Sequence, residues 1–266
     1  MFYGICASSL EEALSLSKEY EMTAMQVYSP DPFSFKEELP ELLEFKKNFQ
    51  KTELKLVIHA TIMANLVSEK IRTRQFSINS IIMEMNRTNT IGGKYLVVHP
   101  GSSGASDGIQ LLAESLNTIK TKISSYRREL VENVCIENMV GSGTQLMHLP
   151  EDFAQLFSLI DIPQVSICLD TAHAWGAGFT PKDFILRLQE LGLEDKLKIV
   201  HFNNSKSSFA SKKERHAILN EGVIPQEEII WMFDYLHSHP EIIVIEEQPK
   251  NSDLNKTINY LKENIR

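Results

Sequence analysis

The sequence of 266 residues is poor in cysteine, has no long apolar run and carries more acidic than basic side chains. Its three cysteines, Cys6, Cys135 and Cys168, form no CxxC pair, and each lies in an apolar segment. An odd number of such thiols argues against a disulfide framework and fits a reducing compartment. No stretch approaches the roughly 18 consecutive apolar residues of a membrane span, and no basic start precedes a long apolar run, as it does in a secretory signal. We therefore expect a protein that is not secreted and stays inside the cell, in the cytoplasm or, in a bacterium or a virus, with the nucleoid or the virion.

The composition is that of a globular protein with an acidic surface. Apolar residues make up 42% of the chain and charged residues 23%, with only 12 glycines and 10 prolines. These values exclude a disordered chain, a collagen and a mucin-like stalk. The length suits one large domain or two small ones, and we predict a single domain over residues 1–266. The formal net charge of −8, taken alone, argues against a nucleic-acid binder, because such proteins usually present a basic face.

Short apolar runs, most of them rich in valine and isoleucine, alternate with segments of helical spacing. The runs are 2–6, 24–28, 54–59, 95–99, 134–137, 165–170, 198–202 and 242–246. Helical segments are predicted from residue 10, near 36–51, 67–91, 106–130 and 149–160, after residue 180, and near 225–238 and 251–265. Such alternation predicts an α/β protein with a parallel sheet, and eight units in this length favour a closed (β/α)8 TIM barrel. The alternative is an open doubly wound sheet, which the lack of a glycine-rich loop after the first strand disfavours.

Two helix starts carry recognisable caps. Ser8 and Glu11 have the spacing of a capping box. Thr180, Pro181 and Asp183 predict an N-cap, a proline at the first helical position and an acidic first turn.

Nine side chains of the types that bind metals lie at or near the ends of six successive predicted strands. They are His59, His99, Glu137, Asp170, His173, His201, Glu214, His216 and Glu246. A single histidine or carboxylate at a strand end is more often structural. The catalytic rim of a barrel lies at these strand ends, however, and four carboxylates and five imidazoles meeting there would repel and desolvate one another without cations. The ligand mix suits zinc, with manganese or iron less preferred, and nine ligands with a bridging carboxylate would serve two or three ions.

Several segments resemble the signatures of the endonuclease IV family, the zinc-dependent endonucleases that act at apurinic or apyrimidinic (abasic) sites. They are VVHPGSS (97–103), IENMVGSG (136–143), CLDTAHAWGAG (168–178), HFNNSK (201–206), RHAILNEG (215–222) and IEE (245–247). The resemblance extends over nearly the whole chain. It implies a xylose-isomerase-like barrel that binds three zinc ions, with Mn²⁺ possible at one site.

The resemblance also assigns the ligands. It implies that His59, His99 and Glu137 hold the first ion, that Glu137 bridges to a second ion completed by Asp170, His201 and Glu246, and that His173, Glu214 and His216 hold the third. Neighbouring residues of a strand point to opposite faces, so only one of Glu246 and Glu247 can face the site, and we choose Glu246.

The activity implied is hydrolysis of the phosphodiester 5′ to an abasic site in double-stranded DNA. The products are a 3′-hydroxyl and a 5′-deoxyribose phosphate, and family members also trim blocked 3′ ends. Glu137 is expected to orient the attacking hydroxide. Three Zn²⁺ ions would bring the net charge from −8 to about −2. DNA phosphates are the expected partners of Lys206, Lys212, Lys213 and Arg215 in the loop after the seventh strand, although such a charged run is often only a solvated face. We expect a monomer that binds no membrane.

The chain departs from the family pattern at several positions. Glu214 stands where the family has aspartate, and Asn204 replaces an aspartate expected to support the ligands. Ile62 occupies the place of a tyrosine that enters the minor groove. Residues 29–35 lack the usual arginine, although Phe33 or Phe35 could wedge into a base step.

Two other functions remain open. A sugar isomerase or epimerase with the same barrel would need only Glu137, Asp170, His201 and Glu246 around one Mn²⁺ or similar ion. It would not require His59, His99, His173 and His216 together. A module that binds damaged DNA without cutting it is the third possibility, because the residues at positions 62 and 214 depart from the family pattern.

Overall fold

The computed structural model describes residues 1–30, 40–125, 134–247 and 253–265. Eight parallel strands close into a barrel in the order β1-β10-β7-β6-β5-β4-β3-β2. These strands are β1 (Phe2–Ala7), β2 (Ala24–Tyr28), β3 (Lys55–His59), β4 (Tyr95–Val98), β5 (Val134–Glu137), β6 (Val165–Asp170), β7 (Leu197–His201) and β10 (Ile243–Glu246). The remaining strands, β8 (Asn204–Ser205) and β9 (His216–Ala217), form a separate antiparallel pair. Because β1 pairs with both β2 and β10, the predicted barrel is confirmed and the open sheet is excluded.

The described residues contain nine α-helices, one more than the sequence pattern predicts. They are α1 (Leu10–Glu19), α2 (Pro40–Phe49), α3 (Ile71–Ile91), α4 (Gly108–Ser125), α5 (Pro150–Leu159), α6 (Thr171–Ala177), α7 (Pro181–Glu190), α8 (Gln226–Ser238) and α9 (Leu254–Ile265). The extra helix is α6, which follows β6 directly. Within the described ranges, no helix combines the length and apolar character that crossing a membrane requires.

The helix caps show one correction. The predicted cap of α7 is confirmed, because Thr180 Oγ1 accepts a hydrogen bond from the Asp183 amide at 3.1 Å. At α1 the capping residue is Ser9, whose Oγ accepts from the Glu12 amide, while the Glu12 carboxylate accepts from the Ser8 amide at 2.6 Å. The capping box therefore lies one residue later than the Ser8–Glu11 prediction.

Alternate residues of each strand face either the barrel interior or the surrounding helices. The interior is a small apolar cluster that includes Val57, Val97, Cys135, Cys168, Ile199 and Ile245. Burial in this cluster raises the pKa of the Cys135 and Cys168 thiols, and all three cysteines are free. Two positions after each of these six residues stands a polar side chain. Because residues two apart in a strand point the same way, each polar side chain also faces the barrel interior, at its carboxyl-terminal mouth.

The long loop after β7 is closed by the β8–β9 pair. Ser205 pairs with His216, and Asn204 pairs with Ala217. The Asn204 amide donates to the Leu219 carbonyl at 2.7 Å and accepts from the Ile224 amide at 2.9 Å. Gly222 is required nearby, because a Cβ there would lie 2.0 Å from the Asn204 Oδ1 atom. These contacts hold His216 at the barrel mouth.

Candidate metal centre

Seven of the nine predicted ligands meet at the barrel mouth in three adjoining sets. The sets are His59, His99 and Glu137; Glu137, Asp170, His201 and Glu247; and Asp170, His173 and His216. Within each set, one possible ligand atom per residue lies within 4.8 Å of all the others. Glu137 belongs to the first two sets and Asp170 to the last two, so the three sets form one continuous cluster.

The spacing of the ligand atoms suits divalent ions. Two ligands of one tetrahedral zinc ion, each about 2.0–2.2 Å from it, are about 3.3–3.6 Å apart. Here His59 Nε2 and His99 Nε2 lie 3.2 and 3.0 Å from Glu137 Oε2, and His201 Nδ1 lies 3.1 Å from Glu137 Oε1. His216 Nε2 lies 3.4 Å from the Asp170 Oδ2 atom.

Two buried ring nitrogens also lack the partners that buried polar atoms normally have. The Nε2 atoms of His173 and His216 make no hydrogen bond to any described residue. Each nevertheless faces a carboxylate, that of Glu214 at 3.3 Å and that of Asp170 at 3.4 Å. Orphaned nitrogens of this kind need an explanation, and a metal ion between them and the carboxylates supplies one. The residues present therefore fit bound metal.

The outer nitrogens of three imidazoles are held by oxygen acceptors. His59 Nδ1 donates to the Ala60 carbonyl at 2.7 Å and His173 Nδ1 to the Asn138 carbonyl at 2.9 Å. His201 Nε2 donates to Gln26 Oε1 at 2.8 Å. Because these oxygens accept only, the opposite nitrogen of each ring is the one that can bind a metal. The rings are thus oriented before any ion binds.

Two amides that the sequence analysis missed support the carboxylates. Asn203 Nδ2 donates to Asp170 Oδ2 at 2.7 Å and to Glu247 Oε2 at 3.3 Å. Gln26 Nε2 donates to Glu247 Oε1 at 2.8 Å. A glutamine in the middle of the apolar β2 run was the available signal. The expectation that Asn204 removes support from the ligands is corrected, because this residue faces the loop at 219–224 and Asn203 faces the ligands.

The choice of Glu246 is also corrected. Ile245 pairs with His201, whereas Glu246 pairs with Ile5. Paired residues of neighbouring strands share a face, so Ile245 and Glu247 face the interior with His201, and Glu246 faces outward with Ile5. Glu246 accepts from the Leu219 amide at 3.3 Å, and burial raises its pKa to about 8. Glu247 is the carboxylate that faces the metal sets.

The third set depends on α6 and the loop after β7. Asp170 caps α6 by accepting from the His173 amide at 2.7 Å, which puts His173 on the first turn of the helix. Glu214 reaches this set from the loop, with its Oε2 3.3 Å from His173 Nε2 and its side chain 46% exposed. The Glu214 side chain could point toward the other ligands or toward solvent. In the structure its carboxylate points toward His173.

Strong charge coupling runs through the centre. Burial alone raises the pKa of Glu137, but the charges of His201 and His99 outweigh it and hold this pKa well below its ordinary value. Burial lowers the pKa of His201, yet the carboxylates of Glu247 and Glu137 raise it well above the ordinary value. The adjacent His173 ring lowers the pKa of Glu214 to about 2. The imidazoles and the carboxylates of the centre therefore shift the pKa values of one another in opposite directions.

The centre opens into a cavity of about 390 Å³ with a polar floor and an apolar rim. The rim includes Tyr28, whose ring lies 5.0 Å from that of His59. Ile62 and Met63 on the loop after β3 are 60% and 70% exposed. Phe33 and Phe35, the other predicted wedge residues, lie outside the described residues. The four predicted DNA-contacting cations, Lys206, Lys212, Lys213 and Arg215, are all exposed on the loop between β8 and β9.

Comparison with known proteins gives consistent relatives. A family profile described as a xylose isomerase-like TIM barrel matches residues 14–264. A probable endonuclease 4 of Halothermothrix orenii is 30% identical over 277 aligned positions, which cover 95% of this chain and 94% of that protein. A probable endonuclease 4 of Mycoplasmopsis synoviae is 34% identical over 178 positions, 65% of this chain and 61% of that protein.

Solved structures extend the comparison to other chemistries. Endonuclease IV from Thermus thermophilus has a TM-score of 0.80 at 24% identity and covers 99% of this chain and 100% of that one. A D-tagatose 3-epimerase-like protein has a TM-score of 0.79 at 20% identity and covers 100% of this chain and 97% of that one. Because a nuclease and an epimerase-like protein share the barrel almost equally well, the fold alone does not select a reaction.

Proposed function

Because the chain belongs to the endonuclease IV family of xylose isomerase-like TIM barrels, we propose that it is a metal-dependent AP endonuclease. Its substrate would be double-stranded DNA that contains an abasic site. It would hydrolyse the phosphodiester on the 5′ side, leaving a 3′-hydroxyl and a 5′-deoxyribose phosphate, and would also trim blocked 3′ ends.

The observation that carries this proposal is the presence of the first and third ligand sets beside the second. A one-metal isomerase needs only the second set, which contains Glu137, Asp170, His201 and Glu247. It gives no reason for His59, His99, His173 and His216 to converge on the same mouth. Their ring nitrogens lie 3.0–3.4 Å from carboxylate oxygens, a spacing that further ions would use.

Three ions would be held by the chain. The first would bind His59, His99 and Glu137; the second Glu137, Asp170, His201 and Glu247; and the third His173, Glu214 and His216, with Asp170 beside them. Zinc is the proposed metal, with Mn²⁺ possible at one site, because imidazole and carboxylate are suitable ligands for both. Bound ions would supply the Lewis acidity and the water activation that phosphodiester hydrolysis requires.

Glu137 would have the central role among the protein groups. Its Oε2 faces His59 and His99, while its Oε1 faces His201 at 3.1 Å. A carboxylate whose pKa lies well below the ordinary value stays ionised, so it accepts hydrogen bonds and can orient the attacking water. Gln26 and Asn203 would keep the neighbouring ligands in place, as outer partners of metal ligands commonly do.

The rim and the loop after β7 would contact DNA. Exposed apolar side chains at Ile62 and Met63 suit insertion beside an unpaired nucleotide, in place of the family's tyrosine. Extrusion of an abasic nucleotide is inexpensive because no base pair holds it. Lys206, Lys212, Lys213 and Arg215 would offer positive charge to the backbone phosphates.

A combined metal and activity measurement tests the proposal. We expect elemental analysis of the purified protein to give close to three ions per chain, mainly zinc, and the zinc-loaded protein to cut a duplex at a single abasic site. A ratio of one ion, chiefly manganese, with isomerisation of a small sugar would favour the epimerase alternative. Tight binding of the abasic duplex without cleavage, at full metal content, would favour the non-cleaving module.

A further inference from the structure

A second cavity lies in the loop between β8 and β9, separate from the metal centre. Its volume is about 220 Å³, and its lining consists of Lys206, Ser207, Ser208, Ser211, Lys213 and Arg215. Three cations and three hydroxyls thus surround one small space. Lys212, the fourth cation of the same loop, does not line it.

The charges around this cavity are not neutralised by any residue of the described ranges. Among the described residues, no carboxylate or other group pairs with the side chains of Lys206, Lys213 or Arg215. The Ser211 hydroxyl is shielded from solvent and also has no hydrogen-bond partner there. Three cations held close together repel one another, and a shielded hydroxyl without a partner is unfavourable. Both features are explained if an anion occupies the cavity.

The cavity is built on a well-anchored backbone. The Ala210 amide donates to the Trp175 carbonyl at 3.0 Å, and the Lys212 amide donates to the Gly176 carbonyl at 2.9 Å. The Trp175 indole donates to the Ser207 carbonyl at 3.1 Å. These bonds fasten the loop to α6, the helix that carries His173. The loop backbone between residues 207 and 212 is therefore fixed to α6, while the cationic side chains themselves are exposed.

The position of the cavity identifies the kind of anion. Arg215 lies between Glu214 and His216 in the chain, so the cavity is formed by the same loop that carries two proposed ligands of the third ion. A DNA strand with one phosphate at the metals presents further phosphates on both sides of it. Phosphate has several acceptor oxygens, which suit a guanidinium, two ammonium groups and hydroxyls together.

We propose that Lys206, Lys213, Arg215 and Ser211 form a pocket for one backbone phosphate of the DNA strand. This proposal goes beyond a general attraction between the four loop cations and DNA, because Lys212 is not part of the pocket. The inference rests on the proposed DNA substrate. It predicts that the loop positions the strand through a single linkage near the abasic site.

The pocket is tested with abasic duplexes in which one phosphate at a time is replaced by an uncharged methylphosphonate. The KM for incision is compared between the wild-type chain, the Lys206→Ala/Lys213→Ala double variant and Lys212→Ala as the matched control. At one linkage, the neutral replacement should raise the KM about tenfold in the wild-type chain and in the control. It should raise the KM little further in the double variant, because that contact is already lost.

Two further measurements separate binding from folding. The double variant should show a shallower salt dependence of binding to an undamaged duplex, by about 0.9 in the logarithmic slope. Ser211→Ala should raise the KM severalfold with kcat and the melting temperature unchanged, since it removes a hydroxyl that has no partner within the protein.

The outcomes distinguish this inference from the proposed function. If the wild-type chain binds and cuts the abasic duplex, but the double variant and the methylphosphonate have independent effects at every linkage, the phosphate pocket is wrong and the nuclease proposal stands. Equal effects of Lys212→Ala and the double variant would also overturn the pocket. If the wild-type chain neither binds nor cuts the duplex, the proposed function fails and the pocket fails with it.

Discussion

The inner and outer parts of the metal centre have similar ligands but very different structural support. Glu137 and His201 lie at the ends of barrel strands, are buried, and are aligned by parallel pairing with strands on both sides. Glu214 and His216 lie on a loop whose ends are joined by a pair of two-residue strands. The strand-end ligands cannot shift without disturbing the barrel, whereas the loop can adjust its backbone. This difference would allow a glutamate to act as a ligand at position 214, because the loop could absorb one more methylene than the aspartate expected from the family pattern.

The largest effect is expected at the residue shared by the two inner sets. Glu137→Gln should lower the rate of incision by more than about a hundredfold, because even outer partners of metal ligands contribute factors of about 10–100 and Glu137 faces two sets directly. The KM for DNA should change little, since Glu137 lies on the cavity floor. His237→Ala, on α8 and outside the ligand sets, is the control. If Glu137→Gln cut the abasic duplex at nearly the wild-type rate, Glu137 would not be a ligand shared by the first and second sets.

The next comparison is between two adjacent glutamates. Glu247→Gln should release about one ion and slow incision by about a hundredfold, because it removes a charged ligand of the inner set. Glu246→Gln should retain the metal content and the rate, since Glu246 faces outward and its raised pKa, about 8, keeps it uncharged at pH 7, like the amide that replaces it. Metal analysis and incision assays of both variants check this pair. The opposite pattern would restore Glu246 as the ligand.

A smaller effect is expected in the outer set. Glu214→Ala should lose about one ion and slow cleavage about tenfold, equivalent to about 1.4 kcal/mol of activation free energy. Glu214→Asp should keep part of the metal and the activity if the loop moves by one methylene toward His173. Metal content and kcat are the measurements. An alanine variant with full metal content and normal kcat would mean that Glu214 is not a ligand.

The smallest effect on activity is expected from loosening the loop itself. Asn204→Ala removes the partners of the Leu219 carbonyl and the Ile224 amide, so the free energy of unfolding in urea should fall by about 1–3 kcal/mol. A chelator should then remove the outer ion faster, while the inner ions leave at the wild-type rate. Asn220→Ala, an exposed position on the same loop, is the control. Equally fast loss of all ions would contradict the independent support of the two parts.

The comparison also shows which parts of the site were accessible from sequence. The positions of His59, His99, Glu137 and Asp170 were predicted from apolar runs that each end in a polar side chain, and that of His201 from a run that contains it near its end. The structure brings all five together. The choice between adjacent glutamates failed because an apolar residue stands two positions before each of them, Val244 and Ile245. Only the pairing of Ile245 with His201 decides which one faces the interior.

Other features depended on contacts between distant parts of the chain. Helix α6 is only seven residues long and contains Gly176, so its sequence has little periodicity, and its cap is also a predicted ligand, Asp170. Gln26 and Asn203 support ligands that are far away in sequence, and their types alone do not distinguish this role from a structural one. The grouping of Lys206, Lys213 and Arg215 without Lys212 likewise follows from the path of the loop over α6.

The sequence by itself determined the closed barrel, the rim on which the chemistry lies and most of the ligand types, because strand periodicity and the order of strand ends are local properties of the chain. The tertiary structure decided which glutamate faces the ligands, where Glu214 lies, which amides support the carboxylates and which cations share a cavity. Each of these depends on strand register or loop packing, and both are set by contacts between residues far apart in the chain.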